Sequence, residues 1–256
     1  MIHNTAIIDK SAVIGQNVEI GPYVVIGENV TIGDGTTIAA HATIECAQIG
    51  QNCKIFSHAS IGAAPQDLKY AGEKTIAIIG DGTTIREFAT VNRGTSASGQ
   101  TVVGKNCLIM TCAHVAHDCR VGDGCIIANC CAIAGHVEVG DGVVMGGLTA
   151  VHQFVKIGKY VVTGGGSMIS MDIIPFMQAQ GDRAKLFGLN LVGLKRRRVP
   201  LAEIENIKHA YKILFASNLP LKDAVDRLEK DFSSSDYVRD IIDFIGKSQR
   251  GICRPK

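Results

Sequence analysis

The chain has 256 residues, with 26 Lys or Arg against 24 Asp or Glu and a formal net charge of +2. So even a balance, with aromatic residues at only 5%, excludes a protein built chiefly to grip nucleic acid, and with no apolar run of membrane length no integral membrane segment is expected. Nine cysteines without a Cys-x-x-Cys pair predict reduced thiols and a cytoplasmic setting, and Met1-Ile2-His3-Asn4 enters the repeat described next without room for a signal peptide.

From the first residues the chain repeats. Isoleucine stands at 2, 8, 14, 20, 26, 32, 38 and 44, six residues apart. The phase slips by one at Ile49, resumes at Ile55, Ile61, Ile79, Ile85 and Val91, then runs unbroken from Val103 to Ile157. A period of six fits neither a helix nor a simple alternation. It fits a three-sided coil of short parallel strands with one β-branched residue per side pointing at the axis, 18 residues to the coil. Gly or Asn recurs just after the inward residue, as in Gly15-Gln16-Asn17 and Gly27-Glu28-Asn29, where a corner requires positive φ. A β-sandwich with glycine turns would not hold one phase for so long. A mainly β fold, a parallel β-helix over residues 1–175, is therefore predicted.

Two excursions interrupt it, at 63–76 and 93–101. Loops leaving a rigid scaffold are where binding groups tend to sit, and the second reads as the more flexible. The hexad ends at Asp172-Ile173-Ile174-Pro175, and from Ala184 the period reads as helical. Leu201, Ile204, Ile207, Tyr211 and Leu214 form one stripe; Leu221 to Phe232 gives a second amphipathic helix; Ser235 can cap a third carrying Val238, Ile241, Ile242 and Ile245. A small helical domain at 176–256 is expected to cover the open end of the rod. It carries 16 Lys or Arg against 10 acids, whereas residues 1–175 carry 10 against 14, so an acidic protein or a phosphate-bearing substrate suits the tail.

Four of the eight histidines, His114, His117, His136 and His152, fall within 39 residues. Steps of 18 from His117 reach Gly135 and Gln153, so these three are predicted to stack on one edge of successive coils, roughly 5 Å apart. Three roles are open to such a cluster. The imidazoles can be corner side chains satisfied by backbone groups. Three can hold a zinc ion, as in hydratases of similar architecture, although the Gly-His and His-Asp contexts do not single that out. Or His117, followed by Asp118, is a general base, with the Gly135 N–H one coil away as oxyanion donor, an arrangement for acyl transfer from a thioester to a hydroxyl.

The stretch Ala113-His114-Val115-Ala116-His117-Asp118-Cys119, followed by Ala134-Gly135-His136-Val137 and Val151-His152-Gln153-Phe154, resembles the UDP-N-acetylglucosamine O-acyltransferase family of lipid A biosynthesis. So do Gln66-Asp67-Leu68-Lys69-Tyr70-Ala71-Gly72-Glu73, Ile85-Arg86-Glu87, Asn92-Arg93-Gly94-Thr95 and the run from Asn190 through Gly193-Leu194-Lys195-Arg196-Arg197. The match spans nearly the whole chain. It implies a left-handed β-helix, an exception to right-handed crossovers, and a homotrimer with active sites between rods. It further implies that His117 deprotonates the sugar 3-hydroxyl, that Asp118 orients it, and that Gly135 N–H stabilises the oxyanion. Asp67 and Lys69 would contact the sugar, and His114, His136, His152 and Gln153 would line the cleft. Asn190, Arg196 and Arg197 would form the diphosphate-binding end.

The family's donor is a 3-hydroxyacyl chain on acyl carrier protein, an acidic partner that suits the basic tail, and its acceptor is UDP-N-acetylglucosamine; no metal or organic cofactor is implied. Gly165 matches the family's chain-length gate, with Met168 nearby, and a glycine there favours longer acyl chains. Val192 stands where relatives can carry an acidic residue near the nucleobase. The related N-acyltransferases act on a sugar amine and usually carry an extra N-terminal uridine-binding domain, for which a repeat beginning at Ile2 leaves no place.

Overall fold

The structure, a computed structural model, describes residues 1–255. Two-residue strands such as Ile7–Ile8, Val13–Ile14 and Glu19–Ile20 follow one another around a triangular coil, and each pairs with the strand one coil later. The result is three sheets of nine, eight and ten strands, called here faces 1, 2 and 3 in the order the chain meets them. His114–Val115 lies on face 1, Arg120–Val121 on face 2 and Ile126–Ile127 on face 3. In each two-residue strand the second side chain points inward. Ile26, Ile32, Ile44, Ile61, Ile85, Ile109, Ile127 and Ile133 are at most 1% exposed, so the hexad is the core. Each such burial contributes about 1.5–3 kcal/mol, which makes stacking between coils the main source of stability. At the first coil the packing is incomplete, and Ile2 remains half exposed.

The register explains the interruptions. Ile32 pairs with Ile49, a coil of 17 residues, which is the phase slip. Ile49 pairs with Ile79 and Ile79 with Val103, coils of 30 and 24, which accommodate the two excursions. Both leave between face 1 and face 2, the corner that also carries His117.

The corners differ from the simple Gly/Asn expectation. Asn17, Asn29, Asn52 and Asn106 do take positive φ, but so do Tyr23, His41, His58 and Phe88 at the corner between faces 3 and 1. Their rings stack in a column with centroids 5.1, 4.9 and 4.8 Å apart. Ring stacking of about 0.5–1.5 kcal/mol per pair offsets the cost of a left-handed backbone at a bulky residue.

Past the hexads, the region read as helical from Ala184 begins instead with a strand. Lys185–Leu189 pairs antiparallel with Met177–Gln180, which itself adds to face 3 beside Val162–Thr163. Edge pairing outweighs local propensity here, because an open sheet would leave backbone groups unpaired. Four helices follow: α1 (Leu191–Arg196), α2 (Leu201–Ala216), α3 (Leu221–Asp231) and α4 (Asp236–Gly246). In α2, Ile204, Ile207, Ala210 and Leu214 are buried while Leu201 faces solvent; Ser235 caps α4 by accepting from Val238 N. The chain then returns to the rod, where Asp172 pairs with Ile252 and accepts from Ser248 Oγ at 2.6 Å. Among the described residues no helix is long and apolar enough to cross a membrane.

Candidate active site

The column expected from 18-residue steps is present. His136 N donates to His117 O at 3.0 Å and Phe154 N to Gly135 O at 3.1 Å, which holds the corners of three successive coils in line. His117 Nδ1 donates to Asp118 Oδ2 at 2.7 Å, so the ring's Nε2 carries the free lone pair. Its side chain is 13% exposed and that of Asp118 is fully buried. Asp118 itself sits at φ 59°, a left-handed conformation that Asp tolerates better than most residues. Burial pushes its carboxyl up, but hydrogen bonds from Ser98, His117 and Thr95 prevail and hold its pKa at about 2. Because that value lies below the ordinary 3.8, Asp118 stabilises the corner above that pH and loses the contribution as pH falls towards 2.

Gly135 explains why the column tolerates an imidazole. A Cβ at this position would stand 2.6 Å from His117 Cε1 and 2.7 Å from Nε2, so only glycine leaves the ring its place. The Gly135 N–H donates to no acceptor among the described residues and remains available to a ligand oxygen. His136 lies edge-on to His117 with ring centroids 5.1 Å apart, and Phe154 stacks on His136 at 4.5 Å. His114 shares a 2.7 Å hydrogen bond with Thr90 Oγ1, and burial, then the proximity of His117, lowers its pKa, which favours a neutral ring. His152 and Gln153 continue the corner one coil on and are exposed.

His117, Asp118 and His136 are close enough to suggest a metal site. The 2.7 Å from Nδ1 to Oδ2 is, however, a proton-sharing distance. Ligand atoms around tetrahedral zinc, with bonds of about 2.0–2.1 Å, lie roughly 3.3 Å apart.

The two loops wall this corner. A cavity of about 210 Å³ is lined by Asp67, Lys69, Tyr70 and Glu73 from the first loop, Thr95, Ser96 and Ala97 from the second, and His136. Asp67 and Lys69 thus meet the histidines. Asn190, Arg196 and Arg197 do not. Asn190 caps α1 by accepting from Gly193 N and anchors it by donating to Tyr160 O, while Arg197 donates to Gly142 O at 2.8 Å and covers the Tyr160 ring. Gly142 and Tyr160 belong to the corner between faces 2 and 3. Arg196, one residue before Arg197, is exposed. Gly165 lies at the corner between faces 3 and 1, and Met168 on face 1, three coils from His114 by way of Ala132 and Ala150.

Sequence reasoning missed Thr95, Ser98 and Thr101. The first two donate to the Asp118 carboxylate, and Thr101 Oγ1 accepts from Asp118 N at 2.8 Å. The signal available was a hydroxyl-rich excursion of one extra hexad placed one coil before His117.

A parallel triangular coil with a His-Asp pair at one corner defines a hexapeptide-repeat transferase, and the bacterial transferase hexapeptide model matches residues 11–46 and 100–135. The model for domain 2 of UDP N-acetylglucosamine O-acyltransferase matches residues 172–253. An acyl-[acyl-carrier-protein]–UDP-N-acetylglucosamine O-acyltransferase of Fusobacterium nucleatum is 58% identical over 254 residues, covering 99% of each chain. Its counterpart in Thermodesulfovibrio yellowstonii is 48% identical over 216 residues, 84% of each. The solved UDP-N-acetylglucosamine acyltransferase of Bacteroides fragilis superposes with a TM-score of 0.97 at 44% identity, covering 99% of this chain and all of that one. The chain belongs to the UDP-N-acetylglucosamine O-acyltransferase family, and its fold is the left-handed parallel β-helix with a C-terminal helical domain.

Proposed function

We propose that this protein moves a 3-hydroxyacyl chain from acyl carrier protein to the 3-hydroxyl of UDP-N-acetylglucosamine, the first step of lipid A biosynthesis, in the cytoplasm. The observation that carries the mechanism is the locked His117 ring, with Nδ1 on Asp118 and Nε2 beside Gly135. Nε2 takes the proton of the sugar hydroxyl as its oxygen attacks the thioester carbonyl. The Gly135 N–H donates to the oxyanion that forms. When the intermediate collapses, the C–S bond breaks and the imidazolium returns its proton to the departing thiolate. Asp118 stabilises that imidazolium without taking the proton, in keeping with its low pKa.

A homotrimer is supported by the separation of the two binding regions. Arg196 and Arg197 sit beside one corner of the triangle and His117 at another, so a second copy must bring its α1 to complete a nucleotide-sugar site. Guanidinium groups suit a diphosphate, and Arg196, exposed on that helix, would bind it. Arg196→Ala is therefore expected to raise the UDP-sugar KM about tenfold or more with little change in kcat. Co-assembly with His117→Ala should regain turnover, because some sites then hold both intact residues. A lowered kcat at unchanged KM, or no regain on mixing, would reject the shared site.

Small side chains at Ala132 and Ala150 on the outer surface of face 1 are suited to an acyl chain running towards Met168 and Gly165. A Cβ at Gly165 would have Gly147 O as its nearest neighbour, at 3.3 Å, so a longer side chain there can be accommodated. Gly165→Met is expected to shift preference to shorter donors, read by competing a ladder of acyl carrier thioesters; an unchanged profile removes the gate.

A further inference from the structure

The loop at 93–101 is not a loose flap. Gly99 N donates to Thr95 O at 2.8 Å, and a Cβ on Gly94 would stand 2.3 Å from Gln100 N, so the segment is folded tightly on itself. Its interior surface is aimed at one group, the Asp118 carboxylate. Thr95 Oγ1 donates to Oδ2 at 2.7 Å, while Thr95 N and Ser98 N donate to Oδ1 at 3.0 and 3.2 Å. Ser98 Oγ lies 2.5 Å from Oδ1 and 2.8 Å from Gln100 O, and its single proton goes to the charged oxygen. Every hydrogen bond to this carboxylate other than that from His117 thus comes from Thr95 and Ser98.

We propose that Thr95 and Ser98 are positioning residues for the general base, holding the Asp118 carboxylate so that His117 keeps one ring orientation and one tautomer. Two features support this over simple loop anchoring. All the donors are neutral, so they fix the carboxylate while leaving its full negative charge facing the imidazole; a Lys or Arg in their place would draw that charge away. The clamp is also continuous with the substrate side of the cleft. Arg93, two residues before Thr95, donates to Tyr70 OH at 3.0 Å and Gly62 O at 2.8 Å, tying in the loop that carries Asp67 and Lys69. One short segment, Arg93 to Ser98, therefore sets both the sugar-side loop and the dyad. The charged or titratable groups around His117 are Asp118, His114 and His136, with Asp67, Lys69 and Glu73 across the cavity.

Thr95→Val keeps the shape and backbone N–H but removes the Oγ1 donor, and Thr95→Ser restores it. With fewer donors on Oδ2, the carboxylate becomes a stronger acceptor towards His117, and the imidazolium is favoured to higher pH. Thr95→Val is expected to lower kcat roughly 10–10²-fold, as loss of an orienting partner does elsewhere, with the UDP-sugar KM within about twofold. The acid limb of its pH–rate profile should move to higher pH; Thr95→Ser should recover most of the loss, and Ser98→Ala should move in the same direction by less. The kinetic arm rests on the acyl-transfer reading, so the deciding measurement is the ¹⁵N NMR titration of the His117 ring without substrate. Failure of that reading would leave this titration untouched. A shift to higher pH in Thr95→Val, reversed in Thr95→Ser, supports the clamp. An unchanged titration in a folded Thr95→Val, or a Thr95→Ser no better than Val, overturns it. Should Thr95→Val not fold, an unchanged titration in Ser98→Ala overturns it equally.

Discussion

Replacing His117 by alanine is expected to lower the maximal rate of acyl transfer by roughly 10²–10⁴-fold, the usual contribution of a general base. The rod should be unaffected. His117 stands at a corner, outside the apolar column of Val115, Ile133 and Val151, so its removal opens no cavity in the core. The measurement is kcat on a carrier-bound acyl donor with UDP-N-acetylglucosamine, accompanied by far-UV circular dichroism and oligomer size. Loss of rate with both physical measures unchanged is the expected outcome. Near-normal kcat would remove His117 from the chemistry. Loss of secondary structure would assign it to the fold.

Gly135→Ala is expected to be nearly as damaging, by another route. The substitution retains the backbone N–H, and Gly135 does not occupy the left-handed region, so Ala imposes no backbone strain. Its methyl group would sit 2.6 Å from His117 Cε1, and the ring must swing away. Misplacing a catalytic group by about 1 Å costs on the order of 10²-fold, so a fall of that size in kcat is expected with thermal unfolding little changed. Activity within about threefold of the parent would show that the His117 ring has other room, and that Gly135 acts only through its N–H. The combination with His117→Ala separates the roles, since the methyl group has nothing left to displace and the double variant should match His117→Ala alone.

The sequence disclosed the rod because the constraint is local and periodic. Each inward Ile or Val meets its own copy one coil later, so a spacing of six is legible without any structure. The same ruler placed His117, Gly135 and Gln153 in one column, because a corner residue moves with its coil. What lay outside the ruler was harder to read. Thr95 and Ser98 reach Asp118 through an insertion that breaks the period, and nothing in a run of Thr, Ser, Ala and Gly states which carboxylate it encloses. Arg197 appears beside a different corner because α1 is set by the Asn190 cap on Tyr160 O, a contact across 30 residues with no repeating signal. The Lys185–Leu189 strand was hidden for a related reason, since its partner strand and not its own pattern makes it extended. The stacked Tyr23, His41, His58 and Phe88 column was visible as four residues near the 18-residue spacing, but a bulky ring at positive φ runs against local preference and pointed elsewhere.

The Asp118 environment links the two levels. A carboxylate enclosed by neutral donors stays ionised across the range in which an imidazole titrates, so His117 is oriented by a fixed charge. The β-helix supplies that fixity at little cost, since neighbouring corners are bonded in register on both sides.

The most direct test is a mass-spectrometric assay of the purified protein with a ladder of 3-hydroxyacyl carrier protein donors and UDP-N-acetylglucosamine, or its 3-amino analogue, as acceptor. The expected result is an ester product bearing one 3-hydroxyacyl group on UDP-N-acetylglucosamine, formed by the parent protein and reduced at least 10²-fold in His117→Ala. Exclusive acylation of the amino sugar, or equal product from both proteins, would contradict the account.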